Sequence, residues 1–106
     1  MGQRFVILRH DVNGAAHFDL MLEVAGQDRL RTLQMAHWPL AVGQSCAAPD
    51  LPPHRRDYLD YQGEVSGGRG HVQRVAEGQW AGEGSEIVLD GAIGLQWRAG
   101  TIVRTR

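Results

Sequence analysis

Two histidines and an aspartate lie close together near the N-terminus, in the stretch RHDVNGAAHFDLMLE of residues 9–23. From His17 onward the residues alternate, which predicts a β-strand with one apolar face and one face that carries the reactive groups. His17 and Asp19 then point to the same side, together with Met21 and Glu23, because residues i and i+2 of a strand share a face. An imidazole beside a carboxylate is a typical start of a divalent metal site.

A second group of reactive side chains is His54 and Tyr58, four residues apart in the segment HRRDY. This spacing suits one helical turn or a bent loop, and either would put both side chains on one side. Each residue also has a simpler interpretation. A histidine in or near a strand is often a half-buried polar residue, and a tyrosine is often a core aromatic with a wet hydroxyl. The spacing alone leaves both interpretations open.

The basic residues are all arginines: the chain has eleven of them, no lysine and a formal net charge of −1. Genome base composition is the simpler explanation for this bias, and a net charge near zero does not by itself indicate nucleic-acid binding. Arginine nevertheless grips phosphate through a planar fork of donors. Three arginines near the histidines in the sequence, Arg9, Arg55 and Arg69, are therefore candidates for binding phosphate.

Short alternating runs and fourteen glycines predict an all-β fold, a small single-domain β-barrel over residues 1–106. Turn residues such as Asn13-Gly14 separate the predicted strands. Residues 36–57 hold all four prolines and predict a long loop, with at most a short helical turn within residues 57–62. The expected strands are Arg4–Arg9, His17–Val24, Arg29–Met35, Gly70–Ala76, Glu86–Asp90, Ile93–Arg98 and Thr101–Arg104.

Length and hydropathy narrow the class of protein further. A chain of 106 residues makes one domain with a modest core. No apolar run approaches the length of a membrane span, and the early run FVIL, ended by Arg9, is too short for a secretory signal. The single cysteine, Cys46, cannot form an internal disulfide, and we expect it to be a partly buried or loop thiol without a catalytic role. A cytoplasmic protein with no membrane partner is therefore expected.

Two separated motifs resemble one known family. The stretch RHDVNGAAHFDLMLE resembles the KHxAxxLHYDxRLE signature of the 3′-phosphoesterase domain of bacterial DNA ligase D and of its stand-alone relatives. Further on, HRRDYLDYQGEVSGGRGHV is similar to that family's HPLDYxDFEGxIPxGxYGxG segment, and RVAEGQW to its xxDxGxW stretch. The similarity keeps the same order over most of residues 4–80.

The resemblance implies a small β-barrel enzyme that uses a divalent cation to hydrolyse phosphate esters at the 3′ ends of nucleic acid. It would remove a 3′-phosphate or a 3′-terminal ribonucleotide and leave a 3′-hydroxyl, in DNA repair. Manganese is the implied metal, with zinc or another transition metal as the alternative. The partners would be DNA or RNA–DNA 3′ ends and, in trans, a DNA ligase or polymerase; we expect a monomer. In this chain His10, His17 and Asp19 match the family's metal ligands, His54 a phosphate-contacting histidine and Tyr58 the active-site tyrosine.

This chain departs from the signature at Met21, where ligase-fused members carry an arginine that reaches the phosphate. Arg9, Arg55 or Arg69 could supply the missing positive charge. The interval between His10 and His17 is also one residue longer, which the Asn13-Gly14 pair could absorb as a turn or a bulge. Because of Met21, the alternative function is a catalytically weak or inactive barrel that binds metal or nucleic acid.

Overall fold

The computed structural model describes residues 2–106 and confirms an all-β chain. All seven predicted strands are present, with ends that differ by a few residues. A 3₁₀ helix, Arg56–Leu59, lies near the predicted helical turn. The strands are β1 Gln3–Val12, β2 Ala15–Leu22, β3 Arg29–Met35, β4 Ser45–Ala47, β5 Asp50–Arg55, β6 Gly63–Glu64, β7 His71–Ala81, β8 Glu86–Leu89, β9 Ile93–Arg98 and β10 Thr101–Arg104.

The ten strands form one antiparallel sheet, in the order β4-β10-β9-β8-β7-β1-β2-β3-β5, with β6 paired to β7. This order corrects the predicted barrel, because the sheet does not close: β4 and β5 are its two edges. Only Ala48 and Pro49 separate these edge strands in sequence, so the chain itself links the two edges. Just after β3, the Ala36 N–H donates to the Ala47 carbonyl of β4 at 3.0 Å, which joins this end of the sheet to β4 without a strand ladder.

The predicted loop of residues 36–57 is also corrected, because β4, β5 and the start of the 3₁₀ helix lie within it. Two of its prolines, Pro52 and Pro53, are part of β5. Proline lacks a backbone N–H and is usually read as a break in a strand, but an edge strand has one side without a ladder to satisfy. The position of β5 at the sheet edge therefore explains how a proline-containing segment that predicts a loop can form a strand.

The hairpin of β1 and β2 sets the register of the reactive residues. Asn13 and Gly14 are its two loop residues, with φ angles of 51° and 81°. Positive φ at both positions is the signature of the tight turn that Asn-Gly favours, and the β1–β2 register continues to this turn without a bulge. The resulting register places His10 directly opposite His17.

Hydrophobic side chains cover both faces of the sheet. The larger core lies on one face and includes Phe5 and Ile7 of β1 with Leu20 and Leu22 of β2. A smaller cluster lies on the other face, where the alternating residues of the same strands pack with Leu59 of the 3₁₀ helix; its members are Val6, Leu8, Met21, Leu30, Leu59, Val65 and Val72. The predicted division of β2 into two faces is therefore confirmed.

None of residues 2–106 lies in a helix that is long and apolar enough to cross a membrane.

Two pairs of charged residues hold the 3₁₀ helix against the sheet. Glu23, just after β2, accepts hydrogen bonds from the Arg4 backbone N–H at 3.0 Å and from the Arg56 guanidinium. Arg4 in turn donates to Asp60 at 2.9 Å. The backbone donor and the Arg56 charge hold the pKa of the Glu23 carboxyl below its usual range. Glu23 is thus a structural carboxylate that fixes the segment carrying Tyr58.

We expect Glu23→Gln to destabilise the protein by about 1 kcal/mol at neutral pH, because the substitution removes the charge that Arg56 pairs with. A carboxyl whose pKa is lowered by folding stabilises above its unfolded pKa, and that stabilisation is lost as the pH falls through the folded pKa. Urea unfolding at a series of pH values checks this: the difference from wild type should shrink with acidification. A constant difference down to pH 3 would contradict the role of the charge.

Candidate functional site

The three predicted metal ligands converge at one end of the β1–β2 hairpin. His10 Nδ1 lies 3.2 Å from His17 Nε2, and His17 Nε2 lies 3.3 Å from Asp19 Oδ1. His10 Nδ1 is 3.9 Å from the other oxygen of Asp19, and one ligand atom from each residue lies within 4.8 Å of the others. The cross-strand pairing of His10 with His17 and the i, i+2 relation of His17 to Asp19 produce this cluster.

A backbone carbonyl orients the His10 ring. His10 Nε2 lies 2.5 Å from the carbonyl oxygen of Arg69 in the loop between β6 and β7. A carbonyl only accepts, so Nε2 carries the proton and Nδ1 presents its lone pair towards His17 and Asp19. Metal-binding histidines typically have their second nitrogen held in this way.

Asp19 is the buried member of the cluster, with only 3% of its surface exposed. Burial raises the pKa of its carboxyl, while the neighbouring charges of His17, His10 and His54 act in the opposite direction. Its Oδ1 atom is buried without a hydrogen-bond partner among the described residues, and His17 Nε2 lies 3.3 Å from it. A buried acceptor without a donor costs about 1–3 kcal/mol, which a bound cation would offset.

The distances fit a small divalent cation. Ligand bonds of about 2.1 Å at tetrahedral or octahedral angles place neighbouring ligand atoms about 3.0–3.4 Å apart. The contacts of His17 with His10 and with Asp19, at 3.2 and 3.3 Å, have this length, whereas His10 and Asp19 are further apart, at 3.9 Å. Two imidazole nitrogens and one carboxylate oxygen are also a donor set that manganese and zinc accept. These three residues could therefore hold a metal if His10 and Asp19 move slightly closer.

His54 and Tyr58 lie in the wall of the same cavity, at the end of β5 and in the 3₁₀ helix. Their rings meet edge to face with centroids 5.9 Å apart. The His54 Nδ1–H donates to the Pro52 carbonyl at 2.9 Å, which leaves Nε2 as the nitrogen available for a ligand. The structure therefore brings together the two groups of reactive residues that the sequence shows far apart.

The cavity between these groups has a volume of about 270 Å³. Met21 lies in its lining and is almost completely buried, so the cavity has an apolar surface at this position. The full lining is His10, His17, Asp19, Met21, Gln34, Leu51, His54, Tyr58, Val65, Arg69 and Val72.

Gln34 is a polar lining residue that was not predicted. It lies on β3 directly opposite Asp19, so its side chain shares the face of the metal cluster. The alternation of β3 places Gln34 on one face with Leu30 and Thr32. That this face adjoins Asp19 follows only from the register in which β3 pairs with β2.

The three arginines predicted to bind phosphate are placed differently from one another. Arg69 lines the cavity, with its guanidinium bonded to the Ser66 carbonyl at 2.8 Å. Arg55 lies outside the cavity, in an adjoining groove. Arg9 does not reach the site: it precedes His10 by one residue, so it points to the opposite face of β1, where it pairs with Asp11 at 3.2 Å.

Neither the comparison with models of known protein families nor the comparison with curated proteins gives a match to this chain. Support for a function therefore comes from the geometry of the site and from the sequence motifs.

Proposed function

We propose that this protein is a metal-dependent phosphoesterase that processes the 3′ ends of nucleic acid and leaves a 3′-hydroxyl. The observation that carries the proposal is the buried, unpartnered Oδ1 of Asp19, which faces two imidazoles in a cavity whose other wall holds His54 and Tyr58. The agreement of these five residues with the two motifs of the ligase D 3′-phosphoesterase family supports the same reaction. The site of action would be the cytoplasm, with a monomer acting on DNA or RNA–DNA ends.

His10, His17 and Asp19 would hold the divalent cation, for which manganese is the first choice and zinc the alternative. When bound, the cation would draw charge from a phosphate oxygen and lower the pKa of water at the site. The Arg69 carbonyl keeps His10 in the tautomer that binds metal. Three protein ligands leave positions open, which is typical of catalytic rather than structural sites.

His54 and Tyr58 supply the groups that act on the phosphate ester. With Nδ1–H held by Pro52, a protonated His54 donates from Nε2 to the oxygen that leaves phosphorus, so the 3′ oxygen departs as a hydroxyl. The Tyr58 hydroxyl donates to a non-bridging oxygen as negative charge develops there. The segment that carries both is fixed by Glu23 and Arg4, so their separation is set before substrate binds.

Met21 favours a second candidate function, a metal- or nucleic-acid-binding module with weak or no catalysis. It presents an apolar side chain to the cavity, and the guanidinium of Arg69, the arginine in the lining, is engaged by Ser66. Such a site would still bind metal but hold the charge of a phosphate less well. Activity measurements separate the two functions.

The test is hydrolysis of a primer–template that ends in a 3′-phosphate or a single 3′-ribonucleotide, with manganese present. We expect His54→Asn to lower kcat by about 10²–10⁴-fold, the usual contribution of a positioned acid or base. The matched control is His37→Asn, since His37 is exposed and is not part of the cavity lining.

Two results would decide against the enzyme. One is no product from wild type with any divalent cation while stoichiometric metal binding persists, which would favour the binding module. The other is equal activity of the His54→Asn and His37→Asn variants, which would remove His54 from the chemistry.

A further inference from the structure

A basic groove adjoins the candidate site. It has a volume of about 390 Å³ and shares Leu51, His54, Tyr58 and Arg69 with the cavity, so the two form a continuous surface. Three arginines line the groove, Arg29, Arg55 and Arg69, and its lining contains no aspartate or glutamate. A groove of this charge next to the reacting position is complementary to an anion.

Two of these arginines face each other across neighbouring strands. Arg29 of β3 is paired directly with Arg55 of β5, and both are exposed. Side chains in such pairs lie on one side of the sheet with Cβ atoms about 5 Å apart, and like charges there repel. Within residues 2–106 the arginine–carboxylate pairs involve other residues: Arg4, Arg9, Arg56 and Arg74.

We infer that Arg29 and Arg55 together bind a backbone phosphate of the nucleic-acid strand, one that neighbours the phosphate in the cavity. The inference rests on the proposed function for the identity of the strand, and on charge complementarity for its path. A bridging phosphate would remove the repulsion between the two guanidinium groups, because each can donate to it through a fork of N–H groups.

The surface beyond the groove limits how far the nucleic-acid strand can extend. A second hollow shares Arg29, Pro52 and Pro53 with the groove, but its lining also contains Asp28 and Asp50. Two carboxylates there offset the arginines and disfavour a polyanion. Because Arg55 follows His54 and Arg29 precedes Leu30, the side chains of the two arginines point to the opposite face of the strands from His54. The strand would therefore leave the cavity past Tyr58 and Arg69, cross the sheet edge at β5, and meet Arg29 and Arg55 on the other side before it turns to solvent.

The experiment measures strand binding without hydrolysis. A fluorescein-labelled single-stranded DNA of about 12 nucleotides, a length within the usual range for single-strand sites, would end in a 3′-hydroxyl. Fluorescence anisotropy would give the Kd of the protein–DNA complex at several salt concentrations, with manganese present throughout. The proteins compared are wild type and the Arg29→Gln/Arg55→Gln variant. The control is Arg98→Gln/Arg106→Gln, which makes the same change of charge at two exposed residues that lie outside the groove lining.

We expect the groove variant to bind about tenfold more weakly and to show a salt slope shallower by about 0.7–1.4, the contribution of one or two single-strand phosphate contacts. The control should change either quantity by much less. The thermal midpoint of the groove variant should equal or exceed that of wild type, since this variant loses only the repulsion between Arg29 and Arg55. Equal losses in the two variants, or unchanged binding by the groove variant, would overturn the inference. Absence of hydrolysis by wild type would instead count against the proposed function, because this binding assay involves no turnover.

Discussion

Replacing Asp19 by asparagine is expected to abolish tight binding of manganese while leaving the metal-free protein at least as stable as wild type. The carboxylate supplies the negative ligand of the cluster, and a neutral amide oxygen is a much weaker one. The metal-free protein is not destabilised by the substitution, because burial of the Asp19 charge is unfavourable and Oδ1 has no hydrogen-bond donor among the described residues. An asparagine amide can also donate to the His10 lone pair.

Thermal unfolding with and without manganese measures both effects. A ligand at a hundred times its Kd stabilises the folded state by about 2.7 kcal/mol, on the order of 10 °C for a domain of this size. A hundredfold loss of affinity would reduce this stabilisation to about 0.4 kcal/mol. Asp28→Asn is the control, since Asp28 is exposed and outside the cluster. If the Asp19→Asn variant gained as much stability from manganese as wild type, the metal would bind elsewhere.

Replacing Gly70 by alanine is expected to damage both the fold and the metal site. Gly70 has a φ of +91°, and a Cβ there would lie 2.0 Å from the backbone oxygen of Asp11. The strand or the loop must therefore move, and the loop contains the Arg69 carbonyl that orients His10. We expect a loss of about 2–4 kcal/mol of unfolding free energy, as for other severe backbone clashes, and a drop of about 10–100-fold in metal affinity, as for lost support of a ligand.

Gly68→Ala is the control that separates the effect of backbone strain from the effect of the steric clash at Gly70. Gly68 also has a positive φ, +70°, but a Cβ there meets no atom within 4 Å. This variant should lose about 1 kcal/mol, the cost of the backbone conformation alone, and bind metal like wild type. Urea unfolding gives the stability, and a manganese titration of each folded variant gives the affinity. Equal metal affinities for Gly68→Ala and Gly70→Ala would contradict a supporting role for the loop.

The sequence by itself determined the hairpin that carries half of the site. Alternation in residues 17–24 assigned His17, Asp19 and Met21 to one face, and the Asn13-Gly14 pair predicted the tight turn. These features are local, because side-chain period and turn geometry depend on neighbouring residues only. The resemblance to the ligase D family added the link between this hairpin and the segment of His54 and Tyr58.

Only the tertiary structure decided which other residues meet the hairpin. The pairing of β3 with β2 brings Gln34 beside Asp19, and the pairing of β5 with β3 brings Arg55 opposite Arg29. The open sheet and the edge strand through Pro52 and Pro53 have the same origin. Strand order and register depend on contacts between residues far apart in the chain, which no local pattern encodes.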